Sequence, residues 1–292
     1  MRVGVVGAGR VGLTLAKVML EAGVEVRAHD VRADALRRAE ALGVVPHTGL
    51  RELALASDHV IVSTPPRETL RVLDALRGLA REGILKGKVV YDTLTFKEDV
   101  IPAYRRFPPD LRVSSIHPLF GPGMRDPSKH VVAVTPVPGR EGDSEPVTEL
   151  FRNLGFRVVV VDPATHDEVI SAYLGISYAV AVAVAGTLLK AREGSKELLR
   201  GPHVALRGTT FTFLLNHCLS VMSDDPAFIE YVLSRERVRG WVAALSNVLE
   251  GLLREPSKAS VIAEVFKEVV GEGELRRAYG SMYSFLEGVS RP

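Results

Sequence analysis

Apolar residues fall in short runs through the first half of the chain and recur at helical spacing through the second. Arg2-Val3-Gly4-Val5-Val6 is an almost uninterrupted apolar run, the pattern of a strand buried on both faces of a parallel sheet. An amphipathic helix through Glu21 and a second strand, Glu25-Val26-Arg27-Ala28-His29, come next. Further strand-like runs at residues 60–63, 89–91, 113–116, 131–134 and 157–161 alternate with helical stretches. That order predicts an α/β domain with a doubly wound, mostly parallel sheet. After Asp162-Pro163 the strand signal stops and helical periodicity continues, which divides the chain into a sheet domain, 1–163, and an all-α domain, 164–292. Thr165-His166-Asp167-Glu168 has the Thr-x-x-Glu form of a capping box and predicts the start of the first long helix. Later helices are expected over 208–222, 226–253, 257–270 and 274–289.

The junction of the first strand and helix carries chemistry. Gly7-Ala8-Gly9-Arg10-Val11-Gly12 spaces its glycines for a tight turn, close approach of a pyrophosphate, and close packing of helix on strand. The helix N-terminus then faces the phosphate charge, with Arg10 and Val11 in its first turn. Asp30 ends the second strand about 20 residues on, where an acid accepts hydrogen bonds from the adenosine ribose hydroxyls. The strand, glycines, helix, second strand and acid arrive in order, so a Rossmann-type domain binding NAD is expected. A 2'-phosphate beside Asp30 would meet like charge, with Arg32 as its only local compensation. The bland alternative for Asp30 is a solvated strand end. Ser63-Thr64-Pro65, after the strand at 60–63, is a further segment expected at the cofactor.

Composition narrows the classes. The 292 residues are 46% hydrophobic with a net charge of +2, and no basic tract interleaved with aromatics points to nucleic acid. Cys218 is the only cysteine, so no internal disulfide, cysteine zinc cluster or C-x-x-C pair can be built, and no metal site is expected. Met1 leads straight into the first strand without a signal-peptide pattern, which makes cytoplasmic residence the expectation. Gln is absent and Asn occurs only at Asn153, Asn216 and Asn247, a depletion of thermolabile amides that suggests a thermophilic source. Residues 170–189 contain no charge and approach bilayer-spanning length. They are rich in small and polar residues, and burial within protein and against a partner subunit is the favoured reading over a membrane span.

Two further runs bear on catalysis, Asp92-Thr93-Leu94-Thr95-Phe96-Lys97 and His117-Pro118-Leu119-Phe120-Gly121-Pro122. On position alone His117 reads equally as a structural histidine at a strand end and as a proton acceptor that is neutral near pH 7. Lys97 alone reads as a solvated lysine beginning a helix. Together with the fingerprint, Ser63-Thr64-Pro65 and Thr165-His166-Asp167, these runs resemble the prephenate and arogenate dehydrogenases of tyrosine biosynthesis over nearly the whole chain. His-Pro-Leu-Phe-Gly-Pro after Asp-x-x-Thr-x-Lys carries most of that resemblance.

The resemblance implies an NAD-dependent oxidative decarboxylation of prephenate to 4-hydroxyphenylpyruvate. Hydride leaves C4, the hydroxyl proton leaves, and the ring carboxylate departs as carbon dioxide. It implies His117 as the proton acceptor, Thr95 at a position usually serine as an orienting hydroxyl, Lys97 as a partner of the ring carboxylate, and a homodimer formed through the helical domain. The family's arginines for the side-chain carboxylate are missing from 174–178 and 213–220. Arg207 is the leading substitute, with Arg200, Arg235, Arg237 and Arg239 behind it; His217 and Tyr178 are candidate neutral contacts. Three alternatives are arogenate as substrate, another NAD(P) oxidoreductase of the β-hydroxyacid dehydrogenase type, and a nonenzymatic NAD-binding regulator. The second usually carries a catalytic lysine on the first interdomain helix, and none lies between His166 and Leu189. The third sits poorly with the presence of both His117 and Lys97.

Overall fold

The computed structural model describes residues 1–190, 199–200 and 202–288. Eight strands form one sheet: β1 (Arg2–Val6), β2 (Glu25–His29), β3 (Val45–Pro46), β4 (His59–Val62), β5 (Val89–Asp92), β6 (Arg112–Pro118), β7 (Val131–Pro136) and β8 (Arg157–Val160). Their order is β3-β2-β1-β4-β5-β6-β7-β8, parallel throughout except where β7 runs antiparallel to β6. The sequence pattern misses β3, because a two-residue strand ending in proline has no periodicity to detect. The chain reverses its direction of winding between β1 and β4, where open α/β sheets form a ligand crevice beyond their carboxyl ends.

Alternation along the strands sends side chains into two cores. Val3, Val5, Ala28, Ile61 and Tyr91 pack with α1 (Arg10–Glu21), α2 (Ala33–Ala41) and α6 (Glu145–Asn153). Val6, Val60, Val62, Val90 and Val113 face the other way, against α3 (Leu50–Ala56), α4 (Pro66–Arg81) and the short α5 (Ile101–Tyr104). The buried faces of α1 and α4 follow the 3.6-residue period, as with Leu15, Ala16 and Met19 or Leu73, Leu76 and Ala80.

The long helix α7 spans Pro163–Lys190. Its start corrects the capping-box reading. Asp162 is the cap, its Oδ1 accepting from the N–H groups of Ala164 and Thr165, while Pro163 takes the first helical position, where a missing N–H costs nothing. The compact units are Met1–Ile170 and Ser171–Pro292. The division lies inside α7, beyond the Asp162-Pro163 position read from the strand pattern, because His166 and Asp167 are hydrogen-bonded to segments of the sheet unit.

The second unit contains α8 (Thr209–Met222), α9 (Pro226–Leu233), α10 (Glu236–Arg254), α11 (Lys258–Val270) and α12 (Glu272–Gly288). One continuous helix was expected over 226–253, but it breaks at Ser234-Arg235: Arg235 takes extended backbone and Ser234 Oγ donates to the Tyr231 carbonyl. The expected end at Val289 lies outside the described residues. Within this unit a Cβ at Gly175 would stand 2.8 Å from Val238, so the glycine lets α7 and α10 approach closely. Of the apolar stretch of α7, long enough to cross a bilayer, 33% is buried within the chain.

Candidate active site

Strand register brings the chemistry to the carboxyl ends of β1, β4, β5 and β6. Val6 pairs with Val62, Val62 with Asp92 and Asp92 with Ser115, so Gly7, Ser63 and Thr93 follow the ends of their strands in the next row, level with Ile116 of the longer β6, and His117 is one residue further along β6, still paired with β7. Gly7 has φ +98°, and a Cβ there would lie 2.3 Å from the Ser63 carbonyl oxygen. A Cβ at Gly12 would lie 2.1 Å from the Gly7 carbonyl. A Cβ at Gly9 would meet nothing within 4 Å. Gly9 is the N-cap residue of α1 and, having no side chain, puts no capping group over the start of the helix. The glycine run thus fits a pyrophosphate cradle, with two glycines needed by the fold and one with open space beside it. Arg10 and Val11 are exposed in the first turn beside it.

Asp30 stands beside this cradle at the end of β2. Its Oδ2 accepts from the Ala8 N–H at 2.8 Å and its Oδ1 from the Arg32 N–H at 2.8 Å. The Arg32 guanidinium, more than half exposed, is 3.5 Å from Oδ1. On the other side of the cradle Ser63 Oγ accepts from Thr93 Oγ1, Thr64 Oγ1 pairs with Thr69 Oγ1, and Pro65 begins α4. The predicted cofactor residues of β1, α1, β2 and β4 therefore meet at the switch point.

The loop 93–97 and His117 meet the first turns of α7. Asp167, 2% exposed, accepts the main-chain N–H of Lys97 on both oxygens, at 2.9 and 3.0 Å, and that of Glu98 at 2.8 Å. Its Oδ1 is also 2.8 Å from His166 Nδ1, and His166 Nε2 is 3.2 Å from His117 Nδ1. The two imidazoles meet edge to face, with centroids 5.3 Å apart. Three side chains thus form a chain from a buried carboxylate to the partly exposed His117. Burial, then the Lys97 charge, then His166 hold the His117 imidazole well below the ordinary histidine range, which keeps it neutral.

Lys97 lies differently from the sequence expectation. No part of it is exposed, and its Nζ donates to the carbonyls of Leu94 and Ile116 rather than standing in an open cleft. Burial pulls its ammonium down to about 8, against the opposing charges of Asp92 and Asp167. Asp92 is equally buried; burial pushes its carboxyl up, while Lys97 and the Leu94 N–H at 2.7 Å act in the other direction. Thr95 is buried in the same loop, but its hydroxyl makes no hydrogen bond to His117; the ring's polar contact is His166. His166 and Asp167 carried no site role in the sequence reading. Only the adjacent His-Asp pair signalled them, and nothing in its spacing tied it to His117.

Three predicted substrate contacts belong to the helical unit, where each has a local partner. Tyr178 donates to Asp224 Oδ2 at 2.6 Å and packs edge-on against Phe228. His217 Nε2 lies 3.0 Å from the Ser177 carbonyl. Arg207 Nη2 donates to the Leu199 carbonyl at 2.6 Å. Among the described residues no group of His, Cys, Asp and Glu is arranged to hold a metal.

Comparison with known proteins bears on the fold and the cofactor. The family model described as D-isomer specific 2-hydroxyacid dehydrogenase, NAD binding domain, matches residues 1–77. A 4-amino-4-deoxyprephenate dehydrogenase of Streptomyces pristinaespiralis is 30% identical over 61% of this chain and 59% of its own length. A probable arogenate/prephenate dehydrogenase of Methanocaldococcus jannaschii is 27% identical over 50% of this chain, which spans only 32% of that relative. Among solved structures, prephenate dehydrogenase from A. aeolicus in complex with hydroxyphenyl propionate and NAD+ matches over 98% of both chains, at TM-score 0.70 and 19% identity. Synechocystis arogenate dehydrogenase matches over 98% of this chain and 99% of its own, at TM-score 0.63 and 16% identity. At such identities the likeness shows the fold. The matched segment, residues 1–77, is an NAD-binding segment of the kind that family model describes. The curated relatives it matches are dehydrogenases of prephenate-type substrates, and the chain spans about 59% and 32% of their lengths.

Proposed function

We propose that this protein is an NAD-dependent dehydrogenase that oxidatively decarboxylates prephenate, with His117 accepting the proton of the ring hydroxyl. The observation that carries the reading is the partly exposed His117 at the same carboxyl end of the parallel strands as the glycine cradle, where burial holds its imidazole below the ordinary histidine range. Gly9 and the N-terminus of α1 would hold the pyrophosphate, and Asp30 the adenosine ribose. Bound NAD supplies the acceptor for the hydride from C4. His117 takes the hydroxyl proton as charge leaves the ring, the part of general-base catalysis that a neutral imidazole can perform near pH 7. Lys97 acts on this reaction chiefly through His117, since its buried charge disfavours a protonated imidazole. Thr95 is kept as an orienting hydroxyl for substrate. Arg207 is the proposed cation for the side-chain carboxylate.

The 4-amino-4-deoxyprephenate relative favours one second reading, a substrate with nitrogen on C4. NADH formation followed by absorbance, with prephenate, arogenate and 4-amino-4-deoxyprephenate tested separately against NAD and NADP, decides among them. The highest kcat/KM is expected for prephenate with NAD; no NADH with any of the three overturns the proposal. Cytoplasmic residence and a homodimer belong to the same reading. Leu219, Leu253, Val261, Phe266 and Val269 are each more than half exposed in the helical unit, an apolar surface of the kind a second copy would cover. Sedimentation at the monomer mass at micromolar concentration would remove the dimer.

A further inference from the structure

We propose that His166 and Asp167 are positioning residues that fix the tautomer of His117, so that its Nε2 carries the lone pair offered to substrate. The inference rests on His117 being the proton acceptor and assigns the ring atom that does the work. Asp167 accepts from three N–H groups, those of Lys97, Glu98 and His166. A carboxylate is an acceptor only, so its contact with His166 places a proton on His166 Nδ1. In a neutral imidazole the other nitrogen is then an acceptor, and His166 Nε2 presents a lone pair toward His117 Nδ1 at 3.2 Å. The hydrogen bond forms only if His117 Nδ1 carries its proton. His117 Nε2 is left unprotonated and available.

Burial strengthens this chain of requirements. His166 and Asp167 are 3% and 2% exposed, so water does not compete freely for their hydrogen bonds. The anchor is stiff as well, because Asp167 sits in the first turns of α7 and ties down the main chain of Lys97 and Glu98. When His117 takes the substrate proton on Nε2 it becomes an imidazolium whose Nδ1–H still donates to His166. That proton can pass along the hydrogen bond to His166 Nε2, leaving His117 neutral and His166 protonated beside the Asp167 carboxylate, with no proton gained or lost. Protonation of His166 from solvent reaches that same state before any turnover. Its Nε2–H would then donate to His117 Nδ1, the His117 proton would move to Nε2, and the base would be masked. The charged and titratable groups around the pair are Lys97 and Asp92 from the loop and β5, and Asp167 from α7.

Nitrogen-15 NMR of the full-length, histidine-labelled protein tests the tautomer without substrate. A pyrrole-type Nδ1 and a pyridine-type Nε2 on His117 near neutral pH are expected; a protonated Nε2 overturns the proposal, whatever reaction the enzyme performs. Kinetics supply the second arm. His166→Leu should lower kcat by about tenfold or more with little change in KM or NAD affinity, because both tautomers become populated and one withholds the lone pair. His166→Gln, whose amide oxygen can accept from His117 Nδ1, should restore most of the lost kcat. Equal losses in the two variants would refute the acceptor role. Should no substrate support NADH formation, the functional reading fails while the NMR result still judges the relay; should His166→Leu fail to fold, the NMR arm on the unaltered protein decides.

Discussion

The three glycines of the cradle should separate folding from cofactor binding when each is replaced by alanine. At Gly7 the added Cβ would stand 2.3 Å from the Ser63 carbonyl oxygen, and the backbone has φ +98°. Left-handed backbone costs a non-glycine residue about 1–2 kcal/mol, and overpacking a tight site typically about 1–3. Gly7→Ala should therefore lose about 2–5 kcal/mol, which at about 2–4 °C per kcal/mol for a unit of this size lowers Tm by roughly 5 °C or more. At Gly9 there is no clash and no positive φ, so the expected loss is below about 1 kcal/mol, the difference between glycine and alanine as a cap. Its methyl would instead stand where the pyrophosphate approaches the first N–H groups of α1. Losing one charge-assisted hydrogen bond of about 1.5–3 kcal/mol weakens NAD binding by roughly ten- to a hundredfold. Gly12→Ala falls between, a Cβ 2.1 Å from the Gly7 carbonyl being partly offset by about 1 kcal/mol of helix propensity. Thermal unfolding by circular dichroism and NAD titration by fluorescence read the two effects independently. Wild-type NAD affinity in Gly9→Ala would move the pyrophosphate away from this helix; a wild-type melt for Gly7→Ala would refute the close approach.

His117→Asn should reduce turnover by roughly a hundredfold or more with NAD affinity unchanged, and near-normal turnover would remove it as the base. Asp30→Ser should weaken NAD and narrow the preference over NADP, because the ribose loses its acceptor and the 2'-phosphate its repulsion; the Ala8 N–H also loses its partner, so part of the weakening should appear with both cofactors. A wild-type enzyme that already favours NADP would contradict the carboxylate argument. His59, His117 and His166 are all held below the ordinary histidine value chiefly by burial, so the unfolded chain binds more protons than the folded one as pH falls below about 6.5. Stability should decline through that window by up to about 1.4 kcal/mol per pH unit for each of them, and urea midpoints equal at about pH 7 and about pH 5 would show that the histidines are not held neutral.

Where the main chain dictates geometry, the sequence was easy to read. Gly7 and Gly12 are required by steric contacts within one strand-turn-helix unit, so their spacing is a local signal, and the strand pattern followed from alternation over two buried cores. Local signals also misled. The Thr165–Glu168 spacing suggested a capping box, yet Asp162-Pro163 supplies the cap, because an Asp followed by proline satisfies the first N–H groups sooner. The helix over 226–253 looked continuous because neither glycine nor proline marks Ser234-Arg235, and the break is made by backbone conformation.

The side-chain chemistry was less legible because it depends on tertiary closeness. Lys97 looked like a solvated cation, or a partner for a substrate carboxylate, as long as its neighbours in sequence were the only ones visible; the fold encloses it between the Leu94 and Ile116 carbonyls, with Asp92 and Asp167 as its opposing charges. An unpaired ammonium could not be held there, since removing a charge from water without partners costs far more than the packing of one side chain returns. The same enclosure determines His117. A histidine on an open strand end would titrate near its ordinary value and bond to water, whereas this one is held low by burial and by the Lys97 charge and has the His166 imidazole as a polar partner. The residues that set its behaviour arrive from β5, the loop after it and the first turns of α7. No spacing rule connects them, because each is positioned by a different element.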